Sequence, residues 1–151
     1  MQARGLYHAV LYVRDLQRSV AFYRDLLGFE PIGEAFGGRA AAFRGADGRT
    51  HHELLLIEVG PDAAAIPPGR RIGLYHLGIK VGDSLDELRE AKQALDDAGV
   101  AIEGMSDHTA TWSLYLRDPD GNELELYADN PDVDWRNDPE AVMAPIKPLR
   151  L

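Results

Sequence analysis

Apolar and polar positions run through two successive rounds of one pattern. Leu6–Val13 is almost wholly apolar and reads as a buried strand. Asp15 is placed to cap a helix on which Leu16, Val20, Tyr23 and Leu27 recur at helical spacing, and Gly28 is a natural stop. Phe29–Phe36 and Arg39–Arg44 read as strands with glycines between them. Ala46-Asp47-Gly48 reads as a turn and His52–Val59 as a further apolar strand. Gly60–Arg71, rich in Pro, Ala and Gly, reads as a linker.

The second round repeats the first. Leu74-Tyr75-His76 restates Leu6-Tyr7-His8, and Val81 and Asp83 restate Val13 and Asp15, all at an offset of 68 residues. Ser84, with Glu87 three residues on, has capping-box spacing and opens a helix with Leu85, Leu88, Ala91 and Leu95 as its stripe and Gly99 as its stop. Leu114, Tyr115 and Leu116 lie in a strand. Asp118-Pro119-Asp120-Gly121 has turn composition, and Glu123–Tyr127 alternates strictly. One face of that strand carries Leu124 and Leu126, the other Glu123, Glu125 and Tyr127. His52–Ile57 matches Asn122–Tyr127 at an offset of 70 residues.

This duplication predicts an α+β fold of two pseudo-repeated βαβββ modules, joined by a Pro-rich linker and forming a curved sheet around a cup. Residues 1–151 then make a single domain: module one over about 5–60, a linker over about 60–72, module two over about 73–130, and a C-terminal tail over 131–151. The tail has four Pro and little periodicity. Trp135, Val142, Met143 and Ile146 suit it to packing on the body or on a partner subunit. Open sheet edges and this apolar tail make a homodimer the expected assembly.

Composition narrows the chemistry by exclusion. The net charge of −9 comes without a basic stripe, which argues against nucleic acid and anionic membranes as partners. The absence of Cys removes disulfides, thiolate metal sites and Cys nucleophiles. No apolar run has the length of a signal peptide or membrane span, so a cytoplasmic protein is expected.

The histidines carry the candidate chemistry. There are five: His8, His51, His52, His76 and His108. An isolated His on an apolar strand is ordinarily a part-buried packing residue. His8 and His76 are not isolated in that sense, since they occupy matching positions in two copies of one strand, and in a pseudo-twofold fold such positions face each other. If the polar face of the last strand looks inward, Glu125 is a buried carboxylate that needs a partner, and a metal ion is one such partner. Two His and one carboxylate from three strands would form a facial triad with open positions on the metal. Glu123 beside it is the alternative carboxylate. In module one the residue matching Glu125 is Leu55, which cannot ligate. A one-residue slip would put Glu53 or Leu54 there instead.

The stretch from His108 to Glu125 resembles the signature of the vicinal oxygen chelate superfamily, and within it the type I extradiol ring-cleaving dioxygenases of the catechol 2,3-dioxygenase kind. The matching residues are His108, five residues, Leu114, Tyr115, two residues, Asp118, Pro119, Asp120, Gly121, three residues and Glu125. Ser106 departs from the pattern, which favours Gly there. The superfamily resemblance covers about residues 5 to 130, and the single pair of modules is similar to the smaller one-domain members. The resemblance implies His8, His76 and Glu125 as metal ligands and His52 as catalytic acid/base. It implies that His108 and Tyr115 contact substrate or oxygen. The implied cofactor is Fe(II), with Mn(II) as the alternative, and the implied partners are a small aromatic diol and O2. Taken from their own positions, Tyr115 could equally be a cross-strand packing residue and His108 a turn residue.

Two other functions share the fold. A glyoxalase I-like isomerase or epimerase usually places a fourth protein ligand, and Leu55 argues against one. A metal-free antibiotic-sequestering protein of the bleomycin-resistance kind needs no His pair and no Glu. Trp112, Phe36, Phe43 and Met105 are candidate pocket residues or ordinary core.

Overall fold

The repeat read from the sequence reappears as strand pairing. The computed structural model describes residues 1–151 and divides into two compact units, Met1–Ile66 and Pro67–Leu151. In the first, β1 (Ala9–Val13) leads to helix α1 (Leu16–Val20), followed by β2 (Glu30–Ala35), β3 (Ala40–Arg44) and β4 (Leu54–Glu58). The sheet order is β1-β4-β3-β2, with β1 parallel to β4 and the other pairs antiparallel. In the second, β5 (His76–Gly82), α2 (Leu85–Asp97), β6 (Ile102–Asp107), β7 (Thr111–Arg117) and β8 (Glu123–Asp129) pair in the same sense, in the order β5-β8-β7-β6. The fold is mixed α+β, built from two repeated modules, each with its own sheet.

Registers test the matching of positions. Val10 lies opposite Leu55 and Gly78 lies opposite Glu125. The module-one counterpart of Glu125 is therefore Leu55, with no slip.

The first strand is shorter than the sequence suggests. It begins at Ala9, because its partner β4 begins at Leu54. Leu6, Tyr7 and His8 lie before it, Leu6 is 94% exposed, and of the strand itself only Leu11 and Val13 are buried. Helix α1 starts under an Asp15 cap, whose side chain accepts from Arg18 N. It then widens into a π-helix over Ala21–Leu26, where Leu27 N donates to Phe22 O. Tyr23 in that turn is fully buried, with Phe22 and Phe29 edge-on to its ring.

Unit two places its core on one face of its sheet. Leu114, Leu116, Leu124, Leu126 and Ala128 are buried there with Leu88 and Leu95 of α2. A variant of the capping box closes the start of α2, with the Glu87 side chain reaching Asp83 N rather than Ser84 N. Ser84 Oγ accepts from Glu87 N, the Glu87 carboxylate accepts from Ser84 Oγ and from Asp83 N, and Gly99 ends the helix with φ +68°. Part of the tail packs on the body. After the short helix α3 (Pro139–Val142), β9 (Lys147–Pro148) joins the free edge of β6, with Lys147 opposite Asp107 and Pro148 opposite Ser106. No helix is long and apolar enough to cross a membrane.

Candidate active site

Period-two alternation on β8 assembles the polar face of unit two. Leu124, Leu126 and Ala128 face the core, which turns Glu123, Glu125 and Tyr127 the other way. Tyr115 of β7 and Gly78 of β5 flank Glu125, while Arg117 and His76 flank Glu123. The turn between β7 and β8 sets this register. Asp118 accepts from the backbone N–H groups of Asp120 and Asn122 and from Asn122 Nδ2, and Gly121 N donates to Asp118 O.

Four of the expected site residues meet on that face. His108 Nε2 lies 2.8 Å from the Tyr115 hydroxyl, which donates to Glu125 Oε1 at 2.8 Å. Since the single phenolic proton points at Glu125, His108 Nε2 carries the proton it donates to the Tyr115 oxygen. The other carboxylate oxygen of Glu125, Oε2, lies 3.1 Å from His76 Nε2. Burial, together with the hydrogen bond to Glu125, raises the Tyr115 pKa, so the phenol stays protonated at neutral pH. His108 is aimed by a tight loop in which Thr109 has φ +70°. Asp107 Oδ1 accepts from Thr109 N and Asn130 Nδ2 donates to Thr109 O, holding that conformation in place.

Unit one gathers the other three histidines. The His8 and His52 rings lie 4.7 Å apart, and His51 and His52 are 4.4 Å apart with their Nδ1 atoms at 2.5 Å. Desolvation, and then the neighbouring His51 and His8, lower the His52 pKa, so the ring favours its neutral form. Glu53, next in sequence, is committed elsewhere: Oε2 accepts from Gly45 N at 2.5 Å and Oε1 from Arg49 at 3.4 Å. Within neither unit do three His, Asp or Glu side chains form a metal cage.

Sequence reasoning passed over the neighbours of His76. The Tyr75 ring lies against it, tilted by 50° with ring centroids 4.7 Å apart. Arg117 bonds to Glu103 at 2.9 Å, to Glu123 at 3.3 Å and to Gly121 O at 3.1 Å. Arg117 and Glu123 share the Glu125 face by alternation, so the period-two pattern already carried that signal.

With this geometry in place, the chain belongs to the Glyoxalase/Bleomycin resistance protein/Dioxygenase superfamily, whose family model matches residues 5–126. It is 40% identical over 133 residues to the catechol-2,3-dioxygenase of Bacillus subtilis, covering 88% of this chain and 44% of that protein. It is 33% identical over 130 residues to biphenyl-2,3-diol 1,2-dioxygenase 3 of Rhodococcus globerulus, covering 83% of this chain and 63% of that one. The chain thus spans less than two thirds of the length of either dioxygenase. Among solved structures, the lactoylglutathione lyase of Agrobacterium tumefaciens aligns with a TM-score of 0.60 at 26% identity, over 84% of this chain and 95% of that one.

Proposed function

We propose that the protein is an Fe(II)-dependent extradiol dioxygenase that opens a catechol-type ring beside its two hydroxyl groups. The observation that carries this reading is the unbroken series His108–Tyr115–Glu125–His76, in which residues of the family signature contact one another through the atoms the chemistry needs. The similarity to two dioxygenases of aromatic diols supports it.

Two of the proposed ligands, His76 and Glu125, are spaced as neighbouring donors on an ion would be. Two donors at right angles on an ion with bonds of about 2.1 Å lie about 3 Å apart, and His76 Nε2 and Glu125 Oε2 are 3.1 Å apart. A Cβ at Gly78 would lie in contact with the Tyr127 ring at 3.5 Å and Glu125 Oε2 at 3.9 Å, so the glycine keeps that side of the carboxylate uncovered. His76 Nδ1 is buried without a hydrogen-bond partner. In this reading His8, as the repeat of His76, supplies the second imidazole and completes a two-His, one-carboxylate set suited to Fe(II), with Mn(II) as the alternative. When bound, the metal supplies open positions that hold the diol oxygens and O2 side by side and stabilise their charge.

The chain's own groups then handle protons and orientation. His52, neutral, accepts a proton from one catechol hydroxyl and returns one later in the cycle. Tyr115, kept protonated, donates a hydrogen bond, and His108 Nε2 fixes the direction of that hydroxyl. Both atoms of O2 enter the ring-opened product, a semialdehyde acid that absorbs in the visible. The reading places the protein in the cytoplasm as a homodimer.

Anaerobic reconstitution with Fe(II), followed by oxygen uptake with a panel of catechols, tests the proposal. Oxygen consumption with a new visible absorbance is the expected result. Tight iron binding without uptake moves the reading to an isomerase, the alternative that the likeness to a lactoylglutathione lyase favours. Failure to bind metal at all overturns the ligand set and leaves a metal-free binding protein.

A further inference from the structure

His76 stands between two carboxylates, and only one of them has a place in the reading above. Glu125 Oε2 faces Nε2 at 3.1 Å. Glu123 Oε1 faces Nδ1 at 3.8 Å, and Nδ1 is buried without a partner. We infer that Glu123 is a positioning residue, holding the His76 imidazole with its proton on Nδ1 so that Nε2 presents a lone pair to the metal ion. The inference rests on the metal reading of His76 and Glu125.

Imidazole can ligate through Nε2 only if that nitrogen carries no proton, and the neutral ring must then carry its proton on Nδ1. Nε2 faces Glu125 Oε2 at 3.1 Å, while Nδ1 is buried with no hydrogen-bond partner. Once Nε2 is taken by an ion, Nδ1–H needs an acceptor. Glu123 lies directly opposite His76 in the β5–β8 register. Closing the 3.8 Å gap by about 1 Å makes an ordinary hydrogen bond.

Glu123 is built to stay put. Its side chain is 14% exposed, and Arg117 Nη2 bonds to its other oxygen at 3.3 Å. The carboxylate of Glu123 also acts on the neighbouring Tyr75 hydroxyl, raising its pKa. Arg117 is itself held by Glu103 and by Gly121 O. In module one the counterpart, Glu53, turns instead to Gly45 N and Arg49.

The test is metal affinity, read without turnover. Purified apo-protein is titrated with Co(II), followed by its visible bands, and with Fe(II) under anaerobic conditions, for the wild type, Glu123→Ala and Glu123→Gln. Glu123→Ala is expected to weaken binding by about 10–100-fold, the usual effect of removing the partner of a ligating His, with the Tm of the apo-protein retained. Glu123→Gln keeps an acceptor oxygen in the same place, folds by the same contacts and should lose less. In Zn(II)-loaded protein, 15N NMR of His76 should show the proton on Nδ1. Unchanged affinity in both variants, with His76→Ala and Glu125→Ala still losing metal, overturns the role of Glu123 alone. A wild type that binds neither Co(II) nor Fe(II) overturns the metal reading and this inference with it.

Discussion

Glu125 is the residue on which the proposed chemistry turns, and its environment makes the expected effect of changing it specific. Its side chain is 17% exposed, on the open face of a sheet whose other face is the core. Glu125→Ala is therefore expected to abolish tight metal binding while the Tm and circular dichroism spectrum stay close to wild type, since no core contact is lost. His52→Ala or His52→Phe should keep the metal and slow turnover by roughly 10²–10⁴-fold, the span of acid–base catalysis. Normal turnover in those variants would show that His52 does not have that role. Gly78→Val should impair metal binding by filling the space beside Glu125 Oε2, a steric effect that titration with Co(II) separates from loss of a ligand. Most candidate residues were legible in the sequence because the repeat and the signature spacing mark them. Glu123 was legible as a second carboxylate on that face, but its pairing with His76 was not, because the register between β5 and β8 and the orphaned Nδ1 are tertiary facts.

At the scale of elements, the helices and strands follow from periodicity, and their ends follow from partners. Leu124 is wholly buried against α2, so Leu124→Ala should cost about 2–5 kcal/mol of unfolding free energy, measurable by denaturant titration. Ser84→Ala removes the oxygen that accepts from Glu87 N and should cost about 1 kcal/mol. Alternation along β8 could be read directly because each residue's face is decided by a period of two. The start of β1 could not, because Leu6 and Tyr7 are as strand-prone as the residues after them. What ends the strand is the first residue of β4. The π-helical turn after Val20 was equally hidden, since the same apolar spacing serves an α-helix, and burial of Tyr23 is a matter of packing.

At the scale of the whole molecule, the duplication is the dominant fact. Both modules use one topology and one register, yet their polar faces have diverged. Where module two has Glu125 opposite Gly78, module one has Leu55 opposite Val10. Of the two matched positions, only the one in module two carries a carboxylate. The tail adds a strand to the β6 edge, beside the loop that carries His108. Truncation before Pro145 should leave unit two folded while speeding amide exchange at Asp107 and Thr109, as hydrogen-exchange mass spectrometry would detect.

The sequence by itself determined the two-module plan, the helix caps, the alternating face of β8 and the identity of the candidate residues. Each depends on spacing along one chain, and spacing is what a sequence records. Tertiary structure decided which atoms meet: that the Tyr115 proton points at Glu125, that His108 supplies the proton behind it, and that His76 lies between Glu125 and Glu123 with one nitrogen unpartnered. Those facts come from pairing between strands distant in the chain, where differences of an ångström set which nitrogen carries a proton, and no one-dimensional pattern encodes distances that small.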